Sequence, residues 1–338
     1  MVSQIAQASI VVTIFTWFLV IKNRVSDYLV LMAISCLFYF QGEYFLNLAV
    51  VYIAYVLGRD VNKKTVYHLF LLFSFTVAIL SLINFYLFGV SVYYSHYFLP
   101  ISYRLIGLDA SPTLVAFSSG LAILLLLENN DLKRVLRLFL ILFFLIVLLL
   151  TASRTAILGV LLGMGVAFFR QGLFSLYILL LMLSPLIFSW LYIFYHDDLI
   201  NMFIEAATSN RVVNWVNLVN FFFDKPVVYW LFGIGKPPII DDPLVLKAVS
   251  DLYTYKFVTY AESSWLKILT YHGIFVFVIS ILYFVKKSYR LIDYRSKVIF
   301  FYIVFGGVFY DSVLSVQYAL ILVLLFSTLE KCSHHYNR

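Results

Sequence analysis

Long apolar runs recur from one end of this chain to the other, separated by short polar or charged connections. A helix needs about 20 predominantly apolar residues to cross a bilayer. The pattern predicts about eleven spans, in a range of ten to twelve: 4–21, 27–41, 44–58, 66–89, 112–128, 135–152, 155–169, 173–195, 263–285, 298–313 and 315–329. Runs such as Leu136 to Leu150 do not alternate polar and apolar residues, as a membrane β-strand would. Backbone amides in hydrocarbon must be paired within the protein, so these runs are expected to be helices. The expected fold is an all-α polytopic integral membrane protein, a single membrane domain over 1–338. No basic residue precedes the first run and no small-residue cleavage site appears before Lys22, so it reads as a retained helix.

Composition sharpens this picture. Hydrophobic residues make up 63% of the chain, charged residues 12%, and the mean hydropathy is +0.97. A soluble domain carries about 25% charged residues. The formal charge of +7 does not indicate nucleic acid, because the basic residues are scattered over short loops and form no single face. Cys36 falls in a span and Cys332 in the charged tail, so no disulfide between them is expected.

The basic residues orient the spans. Lys22 and Arg24; Arg59, Lys63 and Lys64; Lys133, Arg134 and Arg137; Arg170; Lys286, Lys287, Arg290, Arg295 and Lys297; and the tail's Lys331 and Arg338 all fall on alternate connections. Those connections are expected to be cytoplasmic, which puts the C-terminus inside and the N-terminus outside. Two outer segments are too long to be turns. The first is 90–111, containing Tyr97 and Arg104. The second, 196–262, is the most soluble-like part of the chain. In it, Thr208 or Ser209 could cap a helix through the Arg211–Phe223 run. Arg211 and Trp215, four residues apart, share a face of that helix. Asp224-Lys225-Pro226 ends it, and turns are expected at Gly233-Ile234-Gly235 and at Asp241-Asp242-Pro243.

Ionisable residues at the edge of an apolar slab are costly and mark function by default. Arg154 stands between two strongly apolar runs, in Ser153-Arg154-Thr155-Ala156. Either it snorkels to lipid headgroups or it grips a phosphate bidentately. Arg211 is either a solvated loop residue or a cation added to the anion-attracting start of a helix. Glu262 opens the ninth span, as a helix-dipole acid or as a carboxylate that takes a proton from a hydroxyl. The charge-based topology, drawn without these three, puts all of them on one outer face. Two cations and a base there suit transfer from a lipid diphosphate: the leaving group is stabilised and the acceptor hydroxyl deprotonated. His196-Asp197-Asp198 and Asp241-Asp242 are ordinary turn formers, and no metal or other cofactor is expected.

These stretches resemble the O-antigen polymerase and ligase superfamily of bacterial inner membranes. The resemblance is carried by Ser153-Arg154-Thr155-Ala156-Ile157-Leu158-Gly159, by Arg211-Val212-Val213-Asn214-Trp215 followed by Pro226 and Gly233-Ile234-Gly235, and by Glu262-Ser263 with Gly273 eleven residues after Glu262. It covers about 150–275. Ligases of the family carry histidine where Glu262 stands, so the carboxylate favours a polymerase over a ligase. The resemblance implies a metal-independent glycosyltransferase with a GT-C-like fold and one large periplasmic loop. Its expected partners are an undecaprenyl-diphosphate-linked oligosaccharide, membrane lipids and a polysaccharide chain-length regulator, with no nucleic acid. By the same resemblance Arg154, Arg211 and Glu262 form the catalytic set, with Tyr97, Arg104, Trp215 and Trp265 as substrate contacts. A lipid-linked oligosaccharide transporter is the non-enzymatic alternative.

Overall fold

The computed structural model describes residues 45–60, 62–89, 91–93, 103–105, 112–127, 132–166, 168–194, 211–234 and 263–309, with isolated positions at 201, 204, 321, 323, 324 and 326. The expected spans 4–21 and 27–41 lie outside these residues, as does most of 315–329, of which the four described positions are helical. The helices are α1 (Phe45–Asp60), α2 (Lys63–Leu87), α3 (Pro112–Leu127), α4 (Arg134–Leu150), α5 (Arg154–Val166), α6 (Gln171–Phe194), α7 (Val212–Phe223), α8 (Val227–Phe232), α9 (Ser264–Tyr289) and α10 (Tyr294–Phe309). One antiparallel strand pair, β1 (Ser91–Tyr93) with β2 (Tyr103–Leu105), interrupts them.

Local chemistry accounts for many boundaries. Asn62 caps α2, its side chain accepting from the Lys64 amide at 3.0 Å. Pro112 opens α3, where its missing N–H leaves no helical hydrogen bond unmade. Among the described residues, three helices are long and apolar enough to cross a membrane, within α2, α6 and α9, and shorter apolar helices lie in α3, α5 and α7. The described part of the chain is therefore nearly all helical and suited to a bilayer. On α4 only Phe144, Val147 and Leu148 are buried. Its other side shows Leu138, Phe139, Leu142, Leu145, Ile146 and Leu149 to the surroundings, a face that hydrocarbon covers at no cost.

α10 is the central column, buried at every position from Ser296 to Val308. Helices in lipid gain no hydrophobic drive from meeting each other, so close approach through small residues holds them together. Gly159 and Gly163, a four-residue spacing on α5, face Tyr302 and Phe305, and Phe301 and Val298, of α10. A Cβ on Gly159 would lie 2.9 Å from Tyr302 Cε2. Gly120 of α3 receives the Tyr302 hydroxyl end, and Gly306 receives the Phe117 ring. Tyr302 stacks on Phe117 at 4.7 Å between centroids and donates to the Phe117 carbonyl at 3.3 Å.

The opposite ends of the bundle differ in character. At the start of α10, Tyr294 donates to the Met164 carbonyl at 3.0 Å, Lys297 Nζ donates to the Phe169 carbonyl at 2.8 Å, and the Arg295 guanidinium lies 5.8 Å from the Tyr67 ring centroid. Ser288 at the end of α9 donates to Ser175 at the start of α6, at 3.0 Å. The connections bearing Lys64, Arg170, Lys287, Arg290, Arg295 and Lys297 thus share one end. The glycine seam yields a test. Gly159→Leu should overpack α5 against Tyr302 and Phe305 and cost roughly 1–3 kcal/mol, read as a lower Tm in detergent. Gly165→Leu, where a Cβ meets nothing within 4 Å, should leave the Tm nearly unchanged.

Candidate functional site

α5 runs antiparallel to α10. Met164 meets Tyr294, Gly163 meets Val298 and Phe301, and Gly159 meets Tyr302 and Phe305. That register directs the first residue of α5, Arg154, toward the C-terminal end of α10, away from the basic connections. The turn before it is tight. The Thr151 hydroxyl donates to the Leu148 carbonyl at 2.6 Å, and Ala152 takes φ +49°, which a residue with a Cβ rarely adopts. Thr151, Ala152 and Ser153 are buried, and the Ser153 carbonyl accepts the first helical bond, from Ile157, at 3.1 Å. Arg154 itself is exposed. The apolar run ends in a rigid, buried turn that delivers one guanidinium to the surface.

Arg211 occupies the N-cap position of α7, and its carbonyl accepts from the Trp215 amide at 3.0 Å. The expected caps Thr208 and Ser209 lie outside the described residues. Val212, Trp215, Leu218 and Phe222 form the buried face of α7, which packs on α6 and α9. The helix expected in a soluble-like loop is therefore docked on the membrane helices. Trp215 is fully buried with its ring 6.3 Å from Phe309, the last residue of α10, and its indole N–H has no acceptor among the described residues. Asp224 and Pro226 end α7 as expected.

Glu262 lies outside the described residues, and Ser263 follows it. Ser263 N-caps α9, accepting from the Leu266 amide at 3.5 Å, and its hydroxyl donates to the Gly307 carbonyl at 3.3 Å. Trp265 is 1% exposed, donates from Nε1 to the Val304 carbonyl at 3.1 Å and packs edge-on against Phe284. Its ring belongs to helix packing. Arg104 lies in β2, opposite Val92, and Tyr97 is outside the described residues. The starts of α7 and α9, far apart in sequence, both pack on the last turn of α10, through Trp215 on Phe309 and Ser263 on Gly307, and α5, antiparallel to α10, begins toward the same end.

α9 is less simple than the single span expected over 263–285. Gly273 has φ +86° and ψ 171°, which breaks it into two helical pieces. Gly233, which ends α8, also has φ +86°. The two glycines meet: a Cβ on Gly233 would strike the Tyr271 carbonyl, and one on Gly273 the Leu231 carbonyl and the Gly233 amide. The Ile234 amide donates to the Thr270 carbonyl at 2.9 Å, a carbonyl near the break that would otherwise lose its helical partner. Every residue from Ser263 to Gly273 is buried. Two of them, Lys267 and His272, are ionisable and were not singled out from the sequence, although a lysine and a histidine in an apolar run were the available signal. Lys267 Nζ lies 5.5 Å from the Tyr271 ring centroid.

Among the described residues, no three His, Cys, Asp or Glu side chains come together as metal ligands, and Asp197, Asp198, Asp241 and Asp242 lie outside them. Comparison with protein-family models, curated proteins and solved structures finds no match. The glycine contact makes its own prediction. Gly273→Ala combines an unfavourable φ with a backbone clash and should cost about 2 kcal/mol or more. Ala152→Gly relieves a strained φ at the loss of one buried methyl and should change the Tm far less than Gly273→Ala, both measured on purified protein.

Proposed function

We propose that this protein is a polysaccharide polymerase of the bacterial inner membrane, a GT-C-like glycosyltransferase of about eleven spans that works on lipid-linked repeat units at the periplasmic face. The reading is supported by the packing of the starts of α7 and α9 on the last turn of α10, with α5 beginning toward the same end, opposite the end that gathers the basic connections. With the basic end cytoplasmic, as the charge bias of short loops favours, this end of α10 is periplasmic and the C-terminus is inside.

The chemistry follows from the residue types. A hydroxyl on the terminal sugar of one lipid-linked repeat unit attacks the anomeric carbon of a glycan held on undecaprenyl diphosphate. A glycosidic C–O bond forms, the bond from the anomeric carbon to the diphosphate oxygen breaks, and the electron pair leaves with the diphosphate. Arg154 and Arg211 bind that diphosphate and stabilise the charge it gains, which two planar guanidinium groups do bidentately. The start of α7 adds free backbone amides directed at the same anion. Glu262 accepts the proton of the attacking hydroxyl. Arg104 and Tyr97 contribute contacts to the saccharide, while Trp215, fully buried, holds α7 in place and touches no substrate. No step calls on a metal ion.

A carboxylate at position 262 supports transfer to a sugar acceptor of another lipid-linked unit, in place of the ligase reaction onto a lipid A-core. Arg154→Ala, Arg211→Ala and Glu262→Gln should each abolish long-chain polysaccharide, a loss of about 100-fold or more in transfer rate, with protein levels intact. The readout is the chain-length ladder made by purified protein from lipid-linked repeat units. Normal ladders from these variants would remove the assignment, and translocation without bond formation by the unaltered protein would identify a transporter.

A further inference from the structure

α8, with the sequence Val227-Val228-Tyr229-Trp230-Leu231-Phe232, sits in the middle of what the sequence presents as a soluble-like outer loop. Its side chains do not suit water. Val227, Val228, Tyr229 and Phe232 are all exposed, Val228 to 64%, and Phe223 of α7 is exposed beside them. An exposed apolar patch of this kind marks contact with another apolar phase.

The position of the patch identifies that phase. Phe232 packs on Phe275 at 5.9 Å between ring centroids. Phe275 heads a stripe of exposed residues on the second piece of α9: Phe275, Val278, Ile279 and Leu282, spaced i, i+3, i+4 and i+7, so on one helix face. That face belongs to a helix apolar enough to cross a membrane. The Gly233–Gly273 contact and the Ile234-to-Thr270 hydrogen bond hold α8 against the top of this stripe through backbone alone, with no room for a side chain between them. The patch on α8 is therefore continuous with the exposed apolar side of α9. The preceding turn carries the charges: Asp224 is exposed, and Lys225 reaches its Nζ to 4.3 Å from the Phe221 ring centroid, an apolar stem with a polar tip as found at membrane surfaces.

We infer that 226–234 is a membrane-immersed re-entrant segment whose apolar face lies in the hydrocarbon of the bilayer leaflet on the site's side, with Asp224 and Lys225 at the headgroups. The occupant of the patch is the acyl chains of the surrounding lipid. This holds whatever reaction the site performs, so it stands or falls apart from the polymerase reading.

The native protein in phosphatidylcholine vesicles provides the first test. A lipid with a photoreactive diazirine on its acyl chain should label the peptide covering 226–234 to within about threefold of the peptide covering 275–282. The second test uses a Cys36→Ser, Cys332→Ser background with single nitroxide labels at Val228→Cys, Phe232→Cys, Ile279→Cys and Asp224→Cys. The ratio of oxygen to nickel-chelate collisions at 228 and 232 should match that at 279 and exceed that at 224 by about tenfold. Absence of photolabelling at 226–234, or collision ratios at 228 and 232 equal to that at 224, would place the segment in water and overturn the inference.

Discussion

In hydrocarbon the exposure of an apolar side chain costs nothing, so the force that packs soluble cores does not pull helices together. What holds this bundle is close contact around α10, where Gly120, Gly159 and Gly163 leave room for the aromatic rings of Tyr302, Phe301 and Phe305, and Gly306 leaves room for Phe117. Tyr302 is the centre of that arrangement. It touches α3 and α5 together, and its hydroxyl meets a backbone carbonyl in place of water. The register of α5 on α10, and hence the position of Arg154, depends on these contacts.

The same economy operates at the site. Each candidate group is delivered by backbone that is already committed elsewhere. A buried turn with one left-handed residue precedes Arg154, a helix docked by Trp215 begins at Arg211, and the Ser263 hydroxyl ties the start of α9 to the Gly307 carbonyl. Supports of this kind would suit the proposed diphosphate site, because a group held by committed backbone has little to reorganise on binding. The break at Gly273 belongs to the same logic. A discontinuous helix in a membrane leaves carbonyls without helical partners, and the Gly233 turn brings an amide to one of them.

The exposed apolar face of α8 adjoins the exposed apolar side of α9 through Phe232 and Phe275. On the proposed reading, a substrate carried on a lipid tail would approach along that side. The length of 196–262 and its turn-forming residues mark it as a water-exposed loop. The buried face of α7 and the exposed apolar face of α8 place 211–234 on the membrane helices instead.

Helix type and placement were legible in the sequence, because a long apolar run in lipid has only one way to satisfy its backbone. The expected 66–89, 112–128, 135–152 and 173–195 correspond closely to α2, α3, α4 and α6. The odd positions of Arg154 and Arg211 were legible for the same local reason. Contacts between distant segments were not. Nothing in the spacing of Gly233 and Gly273 says that their backbones touch, since the thirty-nine intervening residues could fold in many ways. Nor does position separate Trp265, held in packing by the Val304 carbonyl, from a ring offered to a sugar. Periodicity reports which face of a helix is apolar. Which neighbour covers that face, and what remains at the surface, is decided by how the helices fit against α10.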